Sequence, residues 1–188
     1  MDLRTYKNEL RDYYSRRRRE LPSEYKRILD NQIAERFLNM IAYKHAKQIL
    51  FYASTNDEIS TDLIFATALS NGKNCYFPKC YDQSKMVFFR VKSNNDLAPD
   101  SFNIKAPTNF SEVYSSQPSD IIIVPAMAYD STGFRLGYGK GFYDRFLTDF
   151  WGTKIGLCYS DFITESLPKG RYDISVDVIV TEKRLISL

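Results

Sequence analysis

Residues 133 to 145 of the chain read GFRLGYGKGFYDR, and four of its eight glycines, Gly133, Gly137, Gly139 and Gly141, fall here. Arg135 and Lys140 stand among them, with Leu136, Tyr138, Phe142 and Tyr143 alongside and Asp144 close behind. Glycines without Cβ let main-chain N–H groups approach an anion closely, and a following helix N-terminus adds the positive end of its dipole. The full charges of Arg135 and Lys140 complete a cradle suited to phosphate. The aromatic rings offer flat faces to a ring-bearing part of the ligand. Asp144 has two readings: an acid favoured by the dipole in the first helical turn, or a ligand for Mg2+ beside the phosphates.

The two commonest phosphate motifs are absent. In the P-loop pattern Phe134 would occupy the first glycine position, and Gly141 follows Lys140 where a hydroxyl belongs. In the dinucleotide pattern Phe142 stands in place of the third glycine. The single histidine, His45, excludes a multi-histidine zinc site and reads as a helix-end residue. Cys75, Cys80 and Cys158 have no metal-ligand spacing and read as reduced thiols. With no apolar leader and no run long enough to span a bilayer, a cytoplasmic location is expected.

The cradle needs elements to hold it. DIIIVPA reads as a strand, AYDSTGFRL as the loop beyond it, and the residues from about Gly141 to Phe150 as a helix. Further nearly all-apolar strands are expected at Gln48–Ala53, Cys75–Phe77, Met86–Val91, Lys154–Cys158 and Val176–Val180, with a helix after Ser60 and a long loop over Lys92–Ser119. Apolar strands alternating with helices predict one α/β domain over residues 1–188, its open, mostly parallel sheet covered on both faces in three α/β/α layers. Ligands of such sheets sit beyond the carboxyl ends of the strands.

At the N-terminus, Asp2 to about Arg19 reads as a helix with an apolar stripe of Leu3, Tyr6, Leu10, Tyr13 and Tyr14. Arg4, Lys7 and Arg11 form a cationic row a quarter turn from that stripe. A second helix is expected from Ser23 to about Ala42. Residues 1–50 hold twelve Lys/Arg against seven Asp/Glu, although the whole chain carries only +3, so one end favours an anionic partner.

The run VPAMAYDSTGFRLGYGKGFYDRFL resembles the signature of 5-formyltetrahydrofolate cyclo-ligases, in which a proline-ended strand leads to D-x-x-G-x-R-L-G-x-G-x-G-[FY]-Y-D. KNELR, NDEIST, IGLCY and VDVIVTEK follow the family's order, so the resemblance covers nearly the whole chain. It implies an ATP- and Mg2+-dependent conversion of 5-formyltetrahydrofolate, with or without a polyglutamate tail, to 5,10-methenyltetrahydrofolate. It also implies the roles of single residues. Lys7 and Arg11 would meet ATP phosphates, and Arg135, Leu136, Gly137, Tyr138, Gly139, Lys140, Gly141, Phe142 and Tyr143 would form the nucleotide loop, with Lys140 and Arg135 catalytic. Ala53, Glu58 and residues Tyr138 to Phe142 would touch the folate, and Asp144 and Asp177 would hold magnesium. Two residues depart from the pattern. Phe142 replaces the commoner tyrosine, and Arg171-Tyr172-Asp173 lacks the histidine expected before that aspartate.

Rival readings rest on other features. Arg16–Arg19 invites a nucleic-acid partner, though the same arginines suit a helix C-terminus and the modest net charge argues against it. The sheet type that the resemblance implies is shared with sugar-phosphate isomerases (the NagB and RpiA type) and CoA transferases, so an alternative reading has the cradle hold a sugar phosphate or CoA without ATP turnover. A nucleotide-binding protein without turnover is the third reading. The expectation adopted is a monomeric enzyme with a small-molecule substrate and neither nucleic acid nor membrane.

Overall fold

The structure is a computed structural model that describes residues 2–81, 85–100 and 104–188. Helix α1, Leu3–Arg19, is capped by Asp2, whose Oδ1 accepts the N–H groups of Arg4 at 2.8 Å and Thr5 at 3.0 Å. The second helical pattern divides at Asn39 into α2, Ser23–Leu38, and the single-turn α3, Ile41–His45. His45 ends α3, exposed. Strand β1 (Gln48–Leu50) is followed by α4 (Asp62–Ser70), β2 (Asn74–Tyr81) and β3 (Lys85–Val91). The stretch read as a long loop contains two short strands, β4 (Leu97–Pro99) and β5 (Lys105–Pro107), paired antiparallel. After them come β6 (Ile121–Val124), β7 (Ala128–Asp130), β8 (Arg135–Leu136), α5 (Phe142–Leu147) and β9 (Thr153–Leu157). The chain ends with β10 (Ile163–Thr164), β11 (Val178–Val180) and β12 (Leu185–Ser187).

Seven strands form the main sheet in the order β12-β11-β9-β6-β1-β2-β3. All neighbours from β11 to β2 pair in parallel, while β3 and β12 close the two edges antiparallel. Every residue of β6 is buried, and Ile49, Leu50, Ile155, Ile179 and Val180 are buried with it. Successive strand residues point to opposite faces, so a strand with no exposed residue lies in a sheet covered on both sides. The expected mixed α/β architecture around a mostly parallel sheet is what the chain adopts. A second, three-stranded sheet, β10-β7-β8, projects from the end of β6 and carries the glycine-rich run.

Helix α1 differs from its sequence reading in the face it turns inward. Leu3, Tyr6 and Tyr13 of the supposed apolar stripe are exposed, whereas Lys7, Leu10, Arg11, Tyr14 and Arg18 face the body of the protein. Their spacing is that of one helical face, with cations at three of five positions. Leu10 and Tyr14 of that face pack on the core, while its cations meet acids and carbonyl oxygens, so Lys7 and Arg11 of the cationic row turn inward and Arg4 stays exposed.

Among the described residues, the cysteines are free thiols and no helix is long and apolar enough to cross a membrane. Burial pushes the thiols of Cys75 and Cys158 up to about 12, so both stay protonated inside the core.

Candidate active site

The chain runs from β1 to β2 on one side of the sheet, then returns to place β6 on the other side of β1. Strand order therefore reverses between β1 and β6, and a crevice opens beyond their carboxyl ends. A cavity of about 580 Å³ lies there. Tyr52 and Ala53, which follow β1, and Pro125, which follows β6, line it at the sheet. Residues Arg135 to Asp144 form one side, Lys7 and Arg11 of α1 another, and Pro78, Met86, Ile104 and Ala106 an apolar wall.

The glycine run reaches the cavity because β7 and β8 fold back over the sheet. Buried Asp130 ends β7 and fixes the turn that follows: Oδ1 accepts the N–H groups of Thr132 and Phe134 at 2.9 and 3.1 Å, and Oδ2 accepts Leu167 N–H at 3.1 Å. Burial raises this carboxyl, but the hydrogen bonds outweigh it and hold the group below its ordinary value. Beyond β8, Gly139 and Gly141 adopt φ of +89° and +68°, in the left-handed region where a side chain is strained. A Cβ on Gly139 would also lie 3.1 Å from the Arg11 guanidinium carbon. Arg11 in turn donates its Nε–H to the Gly137 carbonyl at 2.8 Å, so α1 braces the main chain of the cradle directly.

Three cations and two acids meet at this end. Arg135, whose side chain is only 6% exposed, donates to the Ile174 carbonyl and to Asp144 Oδ1, both at 2.7 Å. Lys7 Nζ donates to Asp173 Oδ2 at 2.5 Å, and Gly170 N–H donates to the same oxygen at 2.8 Å. Burial raises the Asp173 carboxyl, while these two donors and the positive neighbours lower it further than burial lifts it. Burial lowers the Arg11 guanidinium, against the attraction of Asp173. Lys140 lies exposed in the cavity lining with no ion partner among the described residues.

The opposite end is built around Glu58. This carboxylate is buried, and its Oε2 accepts the Thr55 N–H at 2.9 Å and the Thr55 hydroxyl at 3.0 Å. The hydroxyls of Tyr52, Tyr138 and Tyr143 are pushed up, first by desolvation in the cavity and next by the Glu58 charge. Tyr138 keeps nearly half of its surface in solvent, so its ring is open to a ligand while its hydroxyl end is enclosed.

Of the residues singled out from the sequence, Lys7, Arg11, Ala53, Glu58 and Arg135 through Asp144 all line this one cavity. Asp177 does not. It precedes β11 with its side chain 44% exposed, and Oδ2 accepts the Lys154 N–H at 2.7 Å and pairs with Lys154 Nζ at 3.0 Å. Its carboxylate is thus engaged by Lys154 of β9. Asp173, four residues earlier, lines the cavity instead. Its signal was present in the Arg171-Tyr172-Asp173 step, but nothing in that spacing shows which aspartate faces inward. Helix α5 is also shorter than expected, six residues ending at Leu147, so its dipole is small and the cations supply most of the positive field.

A crevice at a strand-order reversal, with a cation-rich glycine cradle at one end and a buried acid among tyrosines at the other, gives this α/β protein a site suited to an anionic group beside a flat polar one. The chain belongs to the 5-formyltetrahydrofolate cyclo-ligase family, whose sequence profile matches residues 4–182. It is similar to the 5-formyltetrahydrofolate cyclo-ligase of Haemophilus influenzae, 32% identical over 80% of this chain and 84% of that one. The mouse 5-formyltetrahydrofolate cyclo-ligase is 28% identical over 94% of this chain and 93% of its own. Among solved structures, the 5,10-methenyltetrahydrofolate synthetase of Aquifex aeolicus superposes with a TM-score of 0.86 at 34% identity, covering 97% of this chain and 92% of that one.

Proposed function

We propose that this chain converts 5-formyltetrahydrofolate to 5,10-methenyltetrahydrofolate with consumption of ATP and release of ADP and phosphate. The observation that carries the reading is the two-ended cavity: phosphate-binding groups and a hydrogen-bonding pocket for a pterin open into the same space. In this scheme the formyl oxygen attacks the γ-phosphorus, ADP leaves, N10 closes on the activated carbon and phosphate departs. Charge then develops on the transferring phosphoryl oxygens and on the leaving phosphate, so preorganised cations nearby lower the barrier.

Lys7, Arg11, Arg135 and Lys140 supply those cations, and the main chain of Leu136 to Tyr143 supplies N–H donors. Arg135 and Arg11 are held in place by protein carbonyls and acids, whereas Lys140 remains available to the transferring group. Glu58 accepts the amino and ring N–H groups of the pterin, and Ala53 and the rings of Tyr138 and Phe142 pack on its faces. Phe142 lacks a hydroxyl and serves by stacking alone.

Asp144 and Asp173 fit a magnesium ion. Both carboxylates line the cavity at its phosphate end, and magnesium is commonly held by one or two carboxylates plus phosphate oxygens. Such an ion, when bound, would neutralise phosphate charge.

The test is direct. Purified protein given 5-formyltetrahydrofolate and Mg-ATP is expected to develop the ultraviolet absorbance of the methenyl product, with no signal when either nucleotide or metal is omitted. A folded sample that stays silent overturns the proposal, and turnover of a sugar phosphate or CoA ester without ATP would replace it.

A further inference from the structure

Three of the four arginines at the end of α1 engage the protein's own groups. Arg17 lies over the rings of Tyr13 and Phe162 at 5.6 and 5.0 Å, Arg19 pairs with Asp57, and Arg18 is only 4% exposed. From beneath the cavity, one terminal nitrogen of Arg18 donates to the Asp57 carbonyl at 3.0 Å and the other to the Ala126 carbonyl at 2.7 Å. Asp57 immediately precedes Glu58 in the segment after β1, and Ala126 immediately follows Pro125 after β6. Glu58 and Pro125 both line the cavity. One guanidinium therefore joins the two lips of the crevice where the strand order reverses.

This is an expensive way to join two loops. Enclosing a cation costs several kcal/mol unless it is fully compensated, and a neutral contact would tie the same carbonyls more cheaply. Compensation here is incomplete: the Nε of Arg18 is buried without a hydrogen-bond partner, and Arg18 forms no salt bridge with a carboxylate among the described residues. Its charge nonetheless reaches the hydroxyls of Tyr52 and Tyr138, which also sense Glu58 with the opposite sign.

We infer that Arg18 is a positioning residue for the folate end of the cavity, holding the Glu58 loop at a fixed spacing from Pro125 so that the pterin enters a preformed slot. The inference rests on the folate reading above and deepens it. Lysine at this position keeps the charge but reaches one carbonyl instead of two; methionine keeps the bulk alone. Arg18→Lys is expected to raise the KM for 5-formyltetrahydrofolate, and its calorimetric Kd without ATP, by about tenfold, with the KM for ATP changed less than about twofold. Arg18→Met should do the same more strongly. In a Glu58→Gln background the added effect of Arg18→Lys is expected to shrink below about twofold, because the two residues act on one contact.

A merely structural role would lower the folded fraction and kcat, or raise both KM values together, and its effect would multiply with that of Glu58→Gln. Any of those results overturns the inference, as does failure of both variants to fold. A wild-type protein that neither binds nor turns over the folate sinks the folate reading and this inference together. A wild type that turns over normally beside an indifferent Arg18→Lys sinks this inference alone.

Discussion

At the scale of single residues, Lys140 and Arg135 carry the same formal charge and face the same cavity, yet their environments differ in kind. Lys140 is exposed and unpaired among the described residues, so Lys140→Ala should leave thermal stability within about 0.5 kcal/mol of wild type. Its loss from the transferring phosphoryl group is expected to lower kcat by about 100- to 1,000-fold, the usual consequence of removing one preorganised donor. Arg135 is enclosed and satisfies both Asp144 and the Ile174 carbonyl, so Arg135→Ala is expected to lower activity and stability together, the latter by about 3 kcal/mol. A paired measurement of melting temperature and turnover separates the two. The aspartates divide in the same way. Asp173→Asn is expected to raise the magnesium concentration needed for half-maximal rate at least about tenfold, while Asp177→Asn leaves it unchanged, because the Asp177 carboxylate is engaged by Lys154 away from the cavity. Equal magnesium curves for the two variants would contradict the assignment.

At the scale of elements, the decisive one is α1. Its amphipathic pattern is legible, but the choice of inward face is not, because a hydrophobic stripe normally packs against an apolar partner. Here the partner offers acids and carbonyl oxygens beside a patch of core, so Lys7, Arg11 and Arg18 turn inward with Leu10 and Tyr14, while Tyr6 and Tyr13 stay exposed. Tyr6→Ser should therefore change unfolding free energy by less than about 0.5 kcal/mol, whereas Leu10→Ala, which removes a contact with the core, should cost roughly 2 kcal/mol in urea denaturation. A cost for Tyr6→Ser as large as that for Leu10→Ala would restore the apolar-stripe reading. The same logic explains which elements the sequence disclosed. β6 is a buried run of Ile and Val with no competing reading, and the glycines of the cradle announce a backbone that no other residue adopts. β4, β5 and β12 are three residues each and only partly buried, too short for a period to emerge, and the cavity's apolar wall at Ile104 and Ala106 was missed with them. Asp177 shows a related limit: its main chain bonds Lys154 and Leu188 beside β11, and only the folded chain shows that its carboxylate turns to Lys154 rather than into the cavity.

At the scale of the whole molecule, the cavity exists because distant parts of the chain are held around one reversal of strand order. Asp130 anchors the fold-back that brings the cradle there, tying the turn at Thr132 and Phe134 to Leu167 while lying 3.6 Å from Lys169. Its folded carboxyl is held below the ordinary value, whereas in the unfolded chain it titrates near pH 4. A carboxyl whose folded pKa is depressed stabilises the native state fully above the unfolded pKa, and that stabilisation is lost as pH falls through the folded value. Asp173 acts with the same sign. The protein is therefore expected to lose unfolding free energy between pH 5 and pH 3, in a range set by the usual carboxylate titration. Asp130→Asn replaces an acceptor with a donor facing two N–H groups or the Leu167 N–H, so it should cost about 2–4 kcal/mol at pH 7. In the variant the decline from pH 5 to pH 3 should be shallower, since one of the groups that binds its proton more weakly in the native state has been removed. Urea titrations at pH 7, 5, 4 and 3 measure both quantities, and a variant that follows the wild-type pH slope would show that Asp130 does not couple protonation to folding.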